Sequence, residues 1–133
     1  MQCPCGSEKE FSKCCEPYLL GEKAAPTAEA LMRSRYSAFV TKNYQYIEDT
    51  VDPQTTNEFN HPSNREWAEQ SEFQRLEILS AEEIKNKATV EFKAYFHQNG
   101  EDHVHHEVSK FRQQAGIWYF RDGRTKEPPT KKP

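Results

Sequence analysis

Four cysteines lie within the first fifteen residues of the chain, and this cluster is the strongest constraint on how the sequence can fold. Their spacing is C-x-C-x8-C-C, and no other cysteine occurs in the 133 residues. Zinc binds four thiolate sulfurs in a tetrahedron at about 2.3 Å each, and two closely spaced pairs can supply that arrangement. The pattern predicts one structural zinc ion, with no open position for water or substrate. The predicted ligands are Cys3, Cys5, Cys14 and Cys15.

The residues between the two cysteine pairs favour a turn followed by a short helix. Gly6 can adopt the left-handed conformation that lets backbone N–H groups turn towards the thiolates. Ser7 and Glu10 have the S-x-x-E spacing of a capping box, which predicts a short helix that begins at Glu8 and ends near Cys14.

The bulk properties favour one soluble, cytoplasmic domain. The sequence contains neither the basic start and apolar run of a signal peptide nor an apolar stretch long enough to span a bilayer. The net charge of −3, with 29% charged residues, lacks the basic excess of a dedicated nucleic-acid binder. We therefore expect neither a membrane nor a nucleic acid as partner.

Disulfides and free thiols are the alternatives to a metal at the cysteines. Cytosolic thiols are normally kept reduced, which argues against disulfides. A bond between the adjacent residues Cys14 and Cys15 would also form a strained ring. Iron–sulfur clusters use four cysteines too, but at wider spacings than C-x-C and C-C. We favour metal binding, with zinc as the ion.

The first half of the remaining chain has helical signals. Apolar residues recur at helical spacing over 28–40, and Thr27 is the expected N-cap. A second short helix is predicted over 44–51, where Asp52-Pro53 ends it. A third is predicted to begin at Ser63, in a capping box with Glu66, and to run towards residue 73.

The second half has strand signals. Leu76 and Ile78 alternate with charged residues, and five apolar residues alternate strictly over 88–96. Asn99-Gly100 predicts a hairpin turn into a partner strand over 102–113, and 117–120 closes the sheet. Helices followed by antiparallel strands indicate an α+β fold with the helices on one face of a curved sheet.

The hairpin turn determines which side chains share a face. If Asn99-Gly100 is a two-residue turn, paired residue numbers sum to 199, and the apolar face over 88–96 continues on the next strand as the polar row His103, His105 and Glu107. Such a row suits the floor of a wet cavity between sheet and helices. A bulge or a three-residue turn would reverse this assignment.

The residues that surround the cysteines follow a known pattern: Cys3-Pro4-Cys5-Gly6-Ser7, Lys9, Phe11, Lys13 and Cys14-Cys15. They resemble the SEC-C zinc motif, which is best known at the C-terminal end of the bacterial translocation ATPase SecA. The motif's ligands correspond to the four cysteines, with Cys or His at the place of Cys15. One residue departs from the motif, because Glu8 stands where glycine is usual.

Three further segments have a recognisable pattern: 28–39 (AEALMRSRYSAF), 106–111 (HEVSKF) and 118–123 (WYFRDG). They resemble the YchJ-like family of uncharacterised bacterial proteins, in which a SEC-C motif precedes this domain. The resemblance implies an NTF2-like (cystatin-like) fold that often holds a pocket, and it implies no established activity. We expect a zinc-binding knuckle over residues 1–20 (the knuckle), an NTF2-like domain over 21–124, and a disordered tail over 125–133.

Beyond the cysteines, the candidate site residues are Glu107, His105 and His106. Glu107 and either histidine could form an acid–base pair in a pocket, since NTF2-like enzymes use such groups. We favour the simpler interpretation that Glu107 pairs with Arg33 or Arg35, with Ser109 and Tyr36 in the same buried network. His103 and His105 share a strand face but lack a third ligand, so we predict no second metal there.

Three functional hypotheses follow from these observations. The leading one is a protein-interaction module whose knuckle presents Lys9, Phe11 and Lys13 to a partner. By analogy with the translocation ATPase, that partner would be a chaperone, the ribosome or a nascent chain. The alternative is a small-molecule-binding protein or enzyme with a cavity around Glu107, a raised carboxylate pKa and no arginine partner. The third hypothesis is that the zinc ion has no role beyond holding the N-terminal segment against the core. We expect a binding role rather than catalysis.

Overall fold

The computed structural model describes residues 1–56 and 61–125, and it has the expected α+β architecture. The helices come first in the chain and pack on one face of a curved antiparallel sheet, so the predicted fold class is confirmed. Within these residues, no helix is both long and apolar enough to cross a membrane. The helices described are α1 (Glu16–Leu19), α2 (Ala28–Thr41), α3 (Tyr44–Asp49) and α4 (His61–Gln70), and a 3-10 turn covers Phe11–Lys13.

The sheet has four strands in the order β1-β2-β3-β4, and each strand is antiparallel to the next. Its inner face and the buried side of α2 form the main hydrophobic core, in which Leu31, Val90 and Phe111 are almost completely buried. The strands are β1 (Glu72–Ile84), β2 (Lys87–Gln98), β3 (Glu101–Gln114) and β4 (Ile117–Thr125).

Helix α2 begins where its sequence predicts. The side chain of Thr27 accepts a hydrogen bond from the backbone N–H of Ala30 at 3.0 Å, which is the geometry of an N-cap. The helix ends at Lys42, whose φ of 64° is left-handed. The Lys42 ammonium group donates to the carbonyl oxygen of Ala68 in α4, so the two helices are joined where α2 ends.

The β2–β3 hairpin has the register of a two-residue turn. Asn99 and Gly100 both have positive φ angles, 55° and 80°, as a type I′ turn requires. Phe92 pairs with Glu107, and Ala94 pairs with His105. The predicted sum of 199 is therefore confirmed, and the polar row of β3 lies on the inner face of the sheet.

A buried carboxylate, that of Asp52, joins the loop after α3 to the sheet. From the sequence, this residue is predicted only to end a helix. Asp52 is completely buried, and its two oxygens accept hydrogen bonds from Nε and Nη2 of Arg112 at 2.7 and 2.9 Å. Arg121 adds a contact at 3.3 Å. The Asp52 backbone N–H donates to the Phe120 carbonyl oxygen at 2.8 Å. The loop is thus joined to both β3 and β4.

The predicted capping box at Ser7 and Glu10 is wrong. Glu10 makes no side-chain cap, and the Ser7 hydroxyl accepts a hydrogen bond from the Lys9 backbone N–H at 3.2 Å. Glu8 has a φ of 68°, so the backbone turns at this residue instead of beginning a helix. The segment is too short for a stable helix, and the packing of the cysteines determines its path.

Two other predicted boundaries differ from the structure. Ser63 lies inside α4, which already includes His61, because Pro62 is well tolerated in the first turn of a helix. The helix stops at Gln70, and Phe73 belongs to β1. Thr125, the first residue of the predicted tail, is the last residue of β4. Residues 126–133 of that tail lie outside the described part of the chain.

Candidate metal centre and cavity

The four cysteine sulfurs form one compact cluster. All four Sγ atoms lie within 4.8 Å of one another, and none belongs to a disulfide. The Sγ atoms of Cys5 and Cys14 are 3.7 Å apart, and those of Cys14 and Cys15 are 4.0 Å apart. In a tetrahedron with bonds of about 2.3 Å, neighbouring sulfurs are separated by about 3.8 Å. The cluster can therefore hold a four-coordinate metal ion with four thiolates.

The knuckle is packed against helix α2. Cys3, Cys5 and Cys15 are 5%, 0% and 1% exposed. The Cys3 sulfur lies 3.5 Å from the Ser37 hydroxyl, and Arg33 donates from Nη1 to the carbonyl oxygen of Cys5 at 2.7 Å. A metal at this position would therefore lie at the junction between knuckle and main domain.

Protonation within the cluster favours a thiolate at Cys5. A hydrogen bond from Cys15 lowers the pKa of Cys5 to about 4, although burial opposes this shift. The same hydrogen bond, together with burial, raises the pKa of Cys15, and burial raises the pKa of Cys14. Since the thiolate is the form that binds a metal, the cluster offers at least one ligand that is ready at neutral pH.

The outward side of the knuckle is only partly as expected. Lys9 and Lys13 are exposed to solvent. Phe11 is partly buried against the cysteines, so it is not freely available to a partner. The exposed surface of the knuckle is therefore mixed, because Glu8 and Glu10 accompany the two lysines and the apolar Met1 and Leu20 are exposed as well.

A cavity lies between α2, α4 and the inner face of the sheet. Its volume is about 440 Å³, which is within the range of small-molecule sites. Its polar lining includes Arg35, Asn64, His105, Glu107 and Ser109. Its aromatic lining consists of Tyr36, Phe39, Trp67, Phe73, Phe92 and Phe120.

Glu107 is held by its neighbours on β3. His105 Nε2 lies 2.7 Å from Oε1, and the Ser109 hydroxyl donates to Oε2. Burial raises the pKa of Glu107, but the two hydrogen bonds, together with the electrostatic effects of His105 and Arg35, outweigh it, and the net pKa is lowered. The raised carboxylate pKa expected of a general acid is therefore wrong, and Glu107 is ionised at neutral pH.

The predicted ion pair between Glu107 and an α2 arginine is also wrong. Arg33 donates to Glu29 at 3.0 Å, on the side of α2 that faces the knuckle. Arg35 is close enough to lower the pKa of Glu107 electrostatically, but it forms no hydrogen bond with that carboxylate. Its Nη1 donates instead to the carbonyl oxygen of Ile47 near the end of α3, at 2.8 Å.

In its hydrogen bonds with the described residues, Arg35 uses one of its three guanidinium nitrogens. Nη1 donates to Ile47 and also to the Thr50 hydroxyl at 2.6 Å, and the guanidinium carbon lies 4.4 Å from the centre of the Phe120 ring. Within the described residues, Nε and Nη2 have no hydrogen-bond partner. Burial lowers the pKa of Arg35 to about 10, which leaves it charged at neutral pH. The Tyr36 hydroxyl has no partner in the same part of the chain, although Tyr36 was expected in a hydrogen-bond network.

The other histidines do not contribute to this cavity. His106 lies on the opposite face of the sheet, where its Nε2 is 2.7 Å from Glu91, so it is not an acid–base partner of the cavity carboxylate. His103 stacks on Phe96 with ring centres 5.3 Å apart. Across residues 1–56 and 61–125, the cluster suited to a metal is that of the cysteines.

Gly123 is a cavity residue that the sequence analysis did not single out. It pairs with Ser109 across β3 and β4, and its φ is not in the left-handed region. A Cβ atom at this position would lie 2.1 Å from the Glu107 Oε2 atom. The absence of a side chain therefore makes room for the carboxylate. This role follows from the short distance between Gly123 on β4 and Glu107 on β3, which no local sequence pattern reveals.

The His105–Glu107 pair can in principle transfer protons. An ionised carboxylate can only accept, so it holds the Nε2–H of His105 and leaves Nδ1 as the nitrogen that can give or take a proton. Both groups line the cavity.

Comparison with family models gives two matches. The model for the YchJ middle NTF2-like domain matches residues 27–123, and the SEC-C motif matches residues 2–17. A UPF0225 protein of Geobacter sulfurreducens is 44% identical over 124 residues, which cover 91% of this chain and 77% of that protein.

Solved structures agree with these matches. A SEC-C motif containing protein from Rhodopseudomonas palustris is 43% identical and superposes with a TM-score of 0.88, over 96% of this chain and 100% of that one. A putative calcium/calmodulin-dependent protein kinase type II association domain from Thiobacillus denitrificans gives a TM-score of 0.64 over 78% of this chain and 97% of its own. At 11% identity, the second likeness shows the fold alone. The chain thus belongs to the UPF0225 family, in which a SEC-C motif is followed by a YchJ-type NTF2-like domain.

Proposed function

We propose that the cysteine cluster binds one structural zinc ion, which fastens the knuckle to helix α2. The observation that carries this proposal is the spacing of four sulfurs within 4.8 Å, three of them on buried residues. Four protein thiolates complete the coordination of zinc, so the ion would have a structural rather than a catalytic role. A cytoplasmic location, where thiols stay reduced, is part of the same proposal.

Metal content and thermal unfolding test this role together. We expect one zinc per chain by elemental analysis, and a fall in melting temperature of about 10 °C or more with a strong chelator. Cys14→Ser should lose the metal, whereas Ser12→Ala, an exposed position in the same 3-10 turn, should keep it. A chain without zinc, or a melting temperature that the chelator does not move, would contradict the proposal.

The outward side of the knuckle would bind a protein partner through Lys9 and Lys13. The exposed Lys9 and Lys13 support this role, because a metal-held turn would present their charges rigidly. By analogy with the translocation ATPase, a chaperone, the ribosome or a nascent chain is the kind of partner to look for. This part of the proposal concerns binding only.

Charge reversal tests the partner without removing the metal. Pull-downs with Lys9→Glu combined with Lys13→Glu should lose the proteins that the unmodified chain recovers. The matched control reverses Lys85 and Lys87, two exposed lysines at the β1–β2 turn. Equal recovery from both double variants would remove the interaction surface from the proposal.

The cavity supports a second candidate function, the binding of a small molecule. The observation that favours it is a volume of about 440 Å³ that remains open beside Glu107, with no arginine paired to that carboxylate. Titration with 2-naphthol, an uncharged flat probe, should shift the NMR signals of cavity residues such as Trp67 and Tyr36. If only surface residues respond, this candidate fails.

A further inference from the structure

One edge of the Arg35 guanidinium is left without a partner among residues 1–56 and 61–125. The Nε and Nη2 atoms of an arginine form the edge that grips a carboxylate with two parallel hydrogen bonds. In this chain, the same two atoms of Arg112 hold Asp52 at 2.7 and 2.9 Å. In Arg35 the equivalent edge has no hydrogen-bond partner among the described residues, whereas Nη1 is fully used.

This free edge is a buried charge that a molecule in the cavity can reach. Arg35 is 6% exposed and lines the cavity. Its Nε and Nη2 are not among the atoms that are fully enclosed without a partner, so they face accessible space. A buried cationic group with unused donors is costly unless an acceptor fills them. Glu107, which lines the same cavity, does not do so: its two oxygens contact His105 and Ser109, and no hydrogen bond joins it to Arg35.

The remaining polar groups of the cavity also call for an acceptor. The Tyr36 hydroxyl and the Asn64 amide have no hydrogen-bond partner in the described part of the chain, and both residues line the cavity. Glu107 acts on Arg35 through its charge but forms no hydrogen bond with it, so the Nε and Nη2 donors of Arg35 remain available to a ligand. Among the described residues, an incoming anion can therefore meet the Arg35 guanidinium and the donors of Tyr36 and Asn64.

The aromatic walls of the cavity indicate the shape and polarity of the part of the ligand that does not contact Arg35. Trp67 stands edge-on to both Phe73 and Phe96, with ring centres 5.3 Å apart in each case, and Phe92 and Phe120 also line the space. Rings in this arrangement leave flat faces and edges for another ring, and they exclude water from it. A flat apolar body fits such walls better than a polar one.

We propose that the cavity binds a small, flat, apolar carboxylic acid, whose carboxylate pairs with the free Nε/Nη2 edge of Arg35. The aromatic walls enclose the body of the ligand, and Tyr36 donates a further hydrogen bond to the carboxylate. This inference rests on the second candidate function and adds the ligand's chemical class and its anchoring residue.

The unmodified protein provides the first test. Calorimetric titration at neutral pH compares 2-naphthoate with the equally shaped, uncharged 2-naphthamide and with the cationic 2-naphthylmethylamine. We expect 2-naphthoate to bind at least about tenfold more tightly than either, because two charge-assisted hydrogen bonds form only with the acid. The Arg35 Nε–H signal should also move on addition of 2-naphthoate and stay in place with the amide.

A substitution at Arg35 tests whether this residue binds the carboxylate of the ligand. Arg35→Lys keeps the charge but loses the two-nitrogen edge, so it should lower the affinity for 2-naphthoate about tenfold and leave that for 2-naphthol unchanged. Arg75→Lys is the matched control, because Arg75 covers the Tyr95 ring on the other face of the sheet. If Arg35→Lys does not fold, the comparison of acid and amide and the Nε–H signal still decide the matter.

The possible outcomes separate this inference from the function on which it rests. If 2-naphthol binds but the acid gains nothing over the amide, the cavity is a binding site and the carboxylate inference is overturned. Tighter binding of the amine also overturns it and points to Glu107 as the anchor. If none of the four probes binds, both the inference and the second candidate function fail.

Discussion

Glu8 holds a backbone conformation that its own side chain disfavours. Its φ of 68° is left-handed, and the SEC-C motif usually has glycine at this position. In this conformation a residue with a Cβ atom lowers the stability of the folded state by roughly 1 kcal/mol or more. Glycine avoids this strain, and the stability lost through its greater entropy in the unfolded chain is somewhat smaller. We expect Glu8→Gly to raise the free energy of unfolding by up to about 1 kcal/mol, measured by urea denaturation of the zinc-loaded protein.

Glu10 provides the matched control for this substitution. Its φ of −61° is ordinary, so Glu10→Gly relieves no strain; it brings the entropic cost of glycine and loses the exposed ion pair with the Met1 amino group, and it should destabilise the protein. Opposite signs for the two substitutions are the expected result. If both variants lose stability equally, the left-handed turn at Glu8 is not a source of strain.

Gly123 allows Glu107 to occupy its position. A Cβ at residue 123 would collide with the carboxylate, at 2.1 Å from Oε2. Gly123→Ala should therefore push Glu107 away from His105 and Ser109 and lower the free energy of unfolding by roughly 1–3 kcal/mol. In a background of Glu107→Ala the same substitution should cost almost nothing. A double-mutant cycle measures this coupling, and independent effects of the two changes would contradict it.

At the scale of residues, the sequence predicts the sheet face on which a side chain lies better than the residue with which that side chain pairs. Alternation on either side of Asn99-Gly100 correctly placed Glu107 and His105 on the inner face, because a two-residue turn leaves only one register. The partner of Glu107 could not be inferred in the same way. Arg35 is on the expected side of α2, but its Nη1 reaches the end of α3 and not β3. The choice depends on the distance between helices, which no local pattern contains.

At the scale of elements, the loop at Asp52 should make stability depend on pH. Hydrogen bonds from Arg112 lower the pKa of Asp52 from 3.8 to about 2 in the folded protein. Because the folded pKa is depressed, the stabilisation is complete above about pH 4 and is lost as the pH falls towards 2. Asp52→Asn should lower the free energy of unfolding by roughly 2–4 kcal/mol at pH 6.

The quantity to follow is the difference in the free energy of unfolding between wild type and Asp52→Asn. The absolute values are less informative, because acid also releases a thiolate-bound metal from both proteins. Urea denaturation at several pH values should show that the gap between wild type and Asp52→Asn narrows below pH 4. Asp122→Asn, at an exposed position of β4, should leave stability unchanged at every pH. A gap that stays constant down to pH 2 would show that the ion pair is not its cause.

The elements that the sequence predicted well are those with several consistent signals. Helix α2 has helical spacing and a capping threonine, and the β2–β3 hairpin has strict alternation around a strong turn. The knuckle has a capping-box pattern without the length or the apolar stripe of a helix, and there the prediction failed. Packing around the cysteines overrides weak local preferences in such a short segment.

At the scale of the whole molecule, the proposed zinc would couple the knuckle to α2 but not to the far side of the sheet. Arg33 and Ser37 contact the knuckle, while β2 and β3 are paired with each other along their full length on the other side of the core. Hydrogen exchange followed by mass spectrometry, with and without a chelator, can separate these regions. We expect faster exchange in the knuckle and in α2 after metal removal.

The β2–β3 hairpin should keep its slow exchange in the same experiment at room temperature, because its ladder and its apolar face do not depend on the metal. The Cys14→Ser variant without a chelator should reproduce the pattern, and Ser12→Ala should match the metal-loaded protein. Loss of protection in the hairpin as well would mean that the metal supports the entire fold. If exchange increases only within the knuckle, its contacts with Arg33 and Ser37 transmit no stability to α2, and the fastening role of the zinc would have to be abandoned.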